Sequence, residues 1–458
     1  MYTWIVIVGG LFAFFASAGI GSNDAANAFA TSVGSKALTI KQAVILAAVF
    51  ETAGAILMGN HVTDTIRKGI ADYECFEDTP EIFMYGCFSV LISVTMWLFL
   101  ASYYEMPVST THSCVGGMIG MTLALKGSDC VIWWSEKDTF PFVGGVGGIV
   151  LSWVISPVFS AIISSTLFGI LRHGFLRSQN SFKISRFVFP VLVGGTATLN
   201  TFYIVYKGAK GLGLDDTPFS VACAWAFGIG GVSAIAVYPI TTRIQARIEE
   251  KFNKPANIKD VEANIKKKGK SPNEVETELQ ASDDSVDSMD DYKVDCIERI
   301  DCTGMAKYVN KSMKIDLDKV ITGDENVLAI HDSAEKFEPK TEELFKSLQV
   351  FTAICDSFSH GANDVANAIG PFAAIYMISR EDAVNKSSEL GNDAYWILAM
   401  GGVGISIGLA LYGYKIIQAI GLKLCKITPS RGVALSLIHI SEPTRLRRIS
   451  YAVFCVKK

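Results

Sequence analysis

Gly21-Ser22-Asn23-Asp24-Ala25-Ala26-Asn27-Ala28 and Gly361-Ala362-Asn363-Asp364-Val365-Ala366-Asn367-Ala368 are the two stretches that decide the fold. Six of their eight positions are identical, and Ser17 and Ser357 fall in the same register upstream. Both octets sit inside apolar runs. Runs near 4–28, 40–59, 82–101, 108–125, 141–171, 187–206, 219–240, 348–378 and 394–424 carry few or no charges. Such runs suit a hydrocarbon core about 30 Å thick, which takes about 20 residues to cross. A soluble chain of 458 residues would bury them in two or three domains and would seldom set so many side by side. Seven crossings separate the octets. An odd number turns the second copy upside down relative to the first, the arrangement of an inverted-topology repeat. The expected fold class is all-α: polytopic transmembrane helices in two inverted-topology repeats, with discontinuous helices at the centre.

Composition agrees with a membrane protein. The chain is 50% hydrophobic with mean hydropathy +0.33, although one long charged stretch lowers that mean. Net charge is −4 with pI ≈ 5.9, which argues against a nucleic-acid partner. The first run is not a cleaved signal peptide, because no basic region precedes it and Ser22-Asn23-Asp24 interrupts its end. Loop charges set the orientation. Arg172, Arg177, Lys183 and Arg186 fall in one connection, and Arg243, Arg247, Lys251, Lys254 and Lys266-Lys267-Lys268 follow the seventh run. Two crossings separate these basic segments, so they share a side, which the positive-inside rule makes cytoplasmic. The N-terminus is then outside, with the acidic loop 60–81. The plasma membrane is the default location for a sequence without a transit peptide.

The ten cysteines show no metal-ligand spacing and the six histidines do not cluster. Cys75 and Cys130 both face the oxidising side on this topology, as a disulfide or as two thiols. Cys296 and Cys302 are expected to be reduced. Asn385-Lys386-Ser387 is a glycosylation sequon in an outward loop, and Asn310-Lys311-Ser312 is one on the wrong side to be used.

Four regions follow: 1–240 is an N-terminal membrane half with the first repeat, and 241–346 a cytoplasmic, largely disordered linker. The C-terminal membrane half, 347–435, holds an incomplete second repeat, and 436–458 is a non-native tail. The linker lacks any hydrophobic span, has room for short helices, and combines Lys266-Lys267-Lys268 with Asp283, Asp284, Asp287, Asp290 and Asp291.

The octets bring polar chemistry into apolar surroundings. An ionised Asp24 or Asp364 costs several kcal/mol in a span unless paired or hydrated. Small neighbours let backbones approach and let the helix unwind. Asn23, Asn27, Asn363 and Asn367 offer amide oxygens to a hard cation, and each pair, at i and i+4, can share a helix face. Such amides can also simply join helices. Two copies, each with a carboxylate flanked by amides, favour a site. Glu51, mid-run in Val49-Phe50-Glu51-Thr52, either completes a cation site or is a protonated packing residue. A third element is Pro107-Val108-Ser109-Thr110-Thr111-His112, followed by Gly116-Gly117. Proline suits a first helical turn, and Ser or Thr there caps free N–H groups. A helix start at membrane depth is an anion site, since its N–H groups and dipole favour negative charge. Ser109, Thr110 and Thr111 could hold several oxygens of a tetrahedral oxyanion; an ordinary capped helix start is the plainer reading, and His112 reads as a packing residue.

Together the paired octets, the Phe-Glu-Thr segment and the Pro-Val-Ser-Thr-Thr-His segment resemble the inorganic phosphate transporter family, from about residue 4 to 435. The resemblance implies a sodium- or proton-coupled phosphate symporter rather than an enzyme. It implies that Asp24, Glu51 and Asp364 are needed for transport, with Asp24 and Asp364 on the phosphate side of the site. Ser109, Thr110 and Thr111 would contact phosphate, and Asn23, Asn27, Glu51, Asn363 and Asn367 would hold the coupling cation. His360 matches a histidine often found there, where the first copy has Ile20. After Lys426-Ile427-Thr428-Pro429-Ser430-Arg431-Gly432 the family pattern continues into a helix bearing a glutamate and then a second Pro-Val-Ser-Thr-Thr segment. Here Ser436 stands in the glutamate's place and no second Ser-Thr-Thr follows. The expectation is a natural protein with about three more crossings.

The expected function is secondary active import of inorganic phosphate with sodium, by elevator- or rocking-type exchange, with no cofactor. The expected partners are phosphate, sodium or a proton, the lipid bilayer and a second copy in a homo-oligomer. Alternatives are proton coupling, another tetrahedral oxyanion such as sulfate, and a non-transporting receptor or scaffold. An intramembrane enzyme using Ser109 and His112 lacks an adjacent Asp or Glu orienter.

Overall fold

The computed structural model describes residues 2–136, 143–206, 217–253, 324–384, 390–391, 395–423 and 426–441. Helix α1 (Thr3–Ile20) widens into a π turn (Gly21–Ala25) and continues as α2 (Ala26–Gly34), so the first octet lies on a broken helix. Then come α3 (Ile40–Lys68), α4 (Pro80–Tyr103), α5 (Thr110–Lys126), α6 (Gly145–Leu171), α7 (Ser181–Tyr206) and α8 (Phe219–Asn253). A second π turn, Arg172–Leu176, closes α6. After the central segment come α9 (Glu325–Asp332), α10 (Pro339–Glu381), α11 (Tyr395–Gly421) and α12 (Pro429–Ser441). Strands β1 (Ser135–Glu136) and β2 (Val143–Gly144) pair as a minimal hairpin before α6.

Among the described residues seven helices are long and apolar enough to cross a membrane: Thr3–Ala25, Ile40–Asn60, Pro80–Tyr103, Gly145–Leu176, Ser181–Tyr206, Phe219–Asn253 and Tyr395–Gly421. The runs at 108–125 and 348–378 are helical but fall outside this set. Helix α5 has 17 residues, short for a full crossing. Helix α10 is long enough but is interrupted by Asp356, His360 and Asp364. Val154, Val158 and Ile162 on α6 and Phe227, Val232 and Ile235 on α8 are exposed, a pattern that hydrocarbon accepts and water does not.

Among the described residues the apolar side chains fall into several packing groups. Helices α1, α4, α5, α10 and α11 share the main apolar core through residues such as Ile20, Phe83, Leu98, Met118, Phe372 and Ile405. Leu171, Phe182, Phe189 and Ile248 of α6, α7 and α8 form another group with Phe345 and Val433. Where the octets pass their neighbours, glycine lets backbone touch backbone. A Cβ added at Gly21 would lie 1.8 Å from the Ile405 carbonyl oxygen, and one at Gly408 1.8 Å from that of Ala18. On the other side, a Cβ at Gly361 would lie 2.1 Å from the Glu51 oxygen, and one at Gly54 2.0 Å from that of Phe358. The register is the same in both crossings: the octet glycine meets one residue, and the glycine three further on meets the octet helix three residues back.

The ends of the bundle differ in chemistry. Cys75 and Cys130 form a disulfide, which resolves the sequence-level choice between a bridge and two thiols. Asp72 N–H donates to the Cys130 carbonyl at 2.8 Å beside it. A helix of 27 residues spans about 40 Å, so Arg172, after α6, lies at the far end. There Arg172 and Arg177 grip Glu335 at 2.6 and 2.7 Å, and Lys251 Nζ lies 3.1 Å from Glu343. Helix α11 runs alongside α1 and α2 in the same direction, Gly404 against Phe14 and Gly413 against Ala26, and antiparallel to α10, Trp396 against Phe372 and Gly401 against Val365. The helices carrying the two octets therefore run in opposite directions.

Ordered structure intrudes on both edges of the segment expected to be linker, 241–346. Helix α8 runs on to Asn253, and Asp324 caps α9 by accepting from Asn326 N–H at 2.9 Å. Pro339 opens α10 at a position where its missing N–H costs nothing. Residues 254–323, with Cys296, Cys302 and the Asn310 sequon, lie outside the described residues, as do the Asn385 sequon and 442–458.

Candidate functional site

The site is built around the start of α5. Ser109 is its N-cap, extended at φ −90° and ψ 116°, and its Oγ accepts the His112 N–H at 3.2 Å. This is the capping expected of Pro-Val-Ser-Thr-Thr. His112 Nδ1 also touches Ser109 Oγ, and the His112 ring stacks on Trp153 of α6 with centroids 3.8 Å apart, which makes it a packing residue here. Thr110 is fully buried; Thr111 is partly so.

Both octets hold this helix start. From the first, Asn23 Nδ2 donates to the Met106 carbonyl at 2.9 Å, and Asn23 Oδ1 accepts from Val108 N–H at 2.9 Å. One amide thus pins the two residues flanking Pro107. Ser22 Oγ, 2.9 Å from Ser102 Oγ, fixes the end of α4 that feeds into it. From the second octet, Asn367 Nδ2 reaches Thr110 Oγ1, Thr111 Oγ1 and Asp364 Oδ1, each at 3.1 Å. An amide nitrogen carries two hydrogens, so the three acceptors share them.

Behind Asn367 lies a chain of titratable groups. His360 Nε2 is 2.8 Å from Asp364 Oδ2, and His360 Nδ1 is 2.8 Å from Glu51 Oε2. Ser357 Oγ lies 3.4 Å from Glu51 Oε1. Glu51 is fully buried and Asp364 nearly so. The Gly54 and Gly361 crossing lets this happen, since it brings the α3 and α10 backbones into contact beside Glu51. With His360 protonated between ionised carboxylates, opposite charges about 3 Å apart would attract by roughly 5 kcal/mol at an effective permittivity near 20.

The remaining expected residues are placed as follows. Asp24 is buried in the first π turn, a helix irregularity frequent at functional sites. The side chain of Asn27 lies outside the described residues. Asn363 does not join Asn367: its Oδ1 accepts from Tyr203 OH of α7 at 3.0 Å, and its Nδ2 donates to the Ser359 carbonyl at 2.6 Å. The two amides have different partners: Tyr203 of α7 and the Ser359 carbonyl for Asn363, the α5 start and Asp364 for Asn367. His360 and Tyr203 are what residue reading left out of the cluster. A histidine four residues before an aspartate inside an apolar helix was the available signal for His360; Tyr203 had none.

Residues 20–441 match the phosphate transporter family. A sodium-dependent phosphate transporter of Plasmodium falciparum is 28% identical over 95% of this chain and 81% of its own length. A phosphate-repressible phosphate permease of Neurospora crassa is 27% identical over 97% of this chain and 88% of its own. Among solved structures, one described as the sodium-dependent phosphate transporter superposes with TM-score 0.66 at 27% identity, covering 99% of this chain and 84% of that one. With the octets, the α5 start and a bundle of membrane-crossing helices in place, the chain belongs to the phosphate transporter family: it is a multi-pass integral membrane transporter and not an enzyme.

Proposed function

We propose that this protein imports inorganic phosphate together with sodium. One observation carries the reading: both octets grasp the same helix start, Asn23 from one side and Asn367 from the other. Phosphate sits on the Ser109, Thr110 and Thr111 hydroxyls and the N–H groups of the first α5 turn, with Asp24 and Asp364 nearby. Asn23, Asn27, Glu51, Asn363 and Asn367 supply oxygens to sodium, a hard cation that takes such ligands. Without a cation, the anion meets carboxylates and is repelled, and this couples the two fluxes. The sodium-dependent transporter names among the similar proteins support the choice of cation. A proton in place of sodium is the second reading, favoured by His360 between Glu51 and Asp364.

The two halves act as inverted-topology repeats with the site where they meet. The opposed octet helices and the repeated glycine register support this. The membrane halves span 1–240 and 347–435, the polar segment between them is cytoplasmic, the N-terminus is outside, and 436–458 is not part of the transport unit. The disulfide at one end and the basic clusters at the other support that orientation in a plasma membrane. The test is Asp24→Asn and Asp364→Asn: both should lose cation-dependent uptake while still reaching the membrane. Normal uptake by both ends the proposal. Competition by sulfate against phosphate decides between the two oxyanions.

A further inference from the structure

We infer that Tyr203 is a positioning residue that sets how readily the second octet takes up sodium, by holding the Asn363 carbonyl oxygen away from the cation. The inference rests on the octet amides being sodium ligands. Asn363 is engaged at both ends of its amide: Tyr203 OH donates to Oδ1 at 3.0 Å and Nδ2 donates to the Ser359 carbonyl at 2.6 Å. One turn further along α10, Asn367 turns instead to Thr110, Thr111 and Asp364. For a cation at Asp364 to use the Asn363 oxygen as well, the amide must swing, and the swing breaks both bonds.

The tyrosine resists that swing for a physical reason. Tyr203, with Ile204, Leu57 and Phe358, packs against the buried Met58 and Ala362, an apolar setting in which a phenol needs its hydrogen-bond partner. Tyr203 also belongs to α7, whose principal partner is α8, so the bond ties that helix pair to the octet. Its breaking is a step in cation binding that Asn23, held by residues of its own packing group, does not share.

Tyr203→Phe removes the hydroxyl and keeps the ring. Releasing one net hydrogen bond should lower the half-saturating sodium concentration roughly two- to tenfold. The half-saturating phosphate at high sodium should stay at the parental value, because Thr110 and Thr111 are engaged by Asn367 rather than Asn363. The experiment is sodium activation of radiolabelled phosphate uptake, normalised to surface-biotinylated protein. It is paired with a sodium titration of thermal unfolding on purified protein without phosphate, which needs no transport. A downward shift of the sodium midpoint in both assays is expected. An unchanged or raised midpoint in Y203F overturns the inference and leaves the sodium reading standing. No response of the parental protein to sodium in either assay overturns both.

Discussion

Gly361→Ala tests the packing that makes the site. The new methyl carbon would lie 2.1 Å from the Glu51 carbonyl oxygen, a backbone atom that cannot rotate away, and such contacts are essentially never below 3.0 Å. Helices α3 and α10 must therefore part by about 1 Å. The same movement stretches the 2.8 Å contact between Glu51 and His360 beyond the range of about 2.7–3.2 Å in which an N–H donates well. Overpacking costs about 1–3 kcal/mol, and losing a hydrogen bond to a charged group costs about 1.5–3 kcal/mol. Together these should lower the melting temperature by roughly 5–15 °C on the scale of ordinary domains. Thermal unfolding in detergent reads that shift, and sodium activation of uptake reads the damage to the site. Gly116→Ala is the control, since its added carbon meets nothing within 4 Å. G361A melting with the parent and transporting normally would refute the claim that a backbone contact positions Glu51.

Other perturbations probe separate parts. Asn367→Ala removes the donor shared by Thr110 and Thr111; at about 0.5–1.5 kcal/mol per bond, half-saturating phosphate should rise roughly five- to a hundredfold in uptake assays. Cys130→Ser opens a loop of 55 residues and should destabilise by about 2–4 kcal/mol, seen as a lower melting temperature that reductant no longer changes. At the other end, partial burial pushes Glu335 up, but hydrogen bonds from Arg177 and Arg172 outweigh it and hold the carboxyl below its ordinary 4.5. A depressed carboxyl stabilises the fold above its unfolded pKa and loses that effect as pH falls through the folded one. The melting difference between parent and Glu335→Gln should therefore be full at neutral pH and shrink below pH 4.5.

Much of the site could be read from local rules. Serine is a preferred N-cap, and Ser109 caps α5 accordingly, with Pro107 just outside the helix. The octets announced themselves as polar groups with small neighbours inside apolar runs. Which atom each amide would bond was not legible, because the partners come from distant segments: Val108 for Asn23, Thr110 for Asn367, Tyr203 for Asn363. The i and i+4 spacing of the asparagines puts them about 40° apart on a helix, close enough to share a face and far enough apart to meet different helices. Among the described residues each of the nine apolar runs falls mainly on a helix, but α10 is less apolar than its run suggests, since Asp356, His360 and Asp364 interrupt it. Order at the edges of the central segment begins at local helix signals. Asp324 and Pro339 are strong helix starts embedded in a charged composition that reads as linker.

The most direct measurement is radiolabelled phosphate uptake by cells expressing this chain, with sodium present or replaced by choline. Saturable uptake above control cells that is lost in choline is expected. Uptake equal in the two media, or none from protein shown to be at the cell surface, would contradict it.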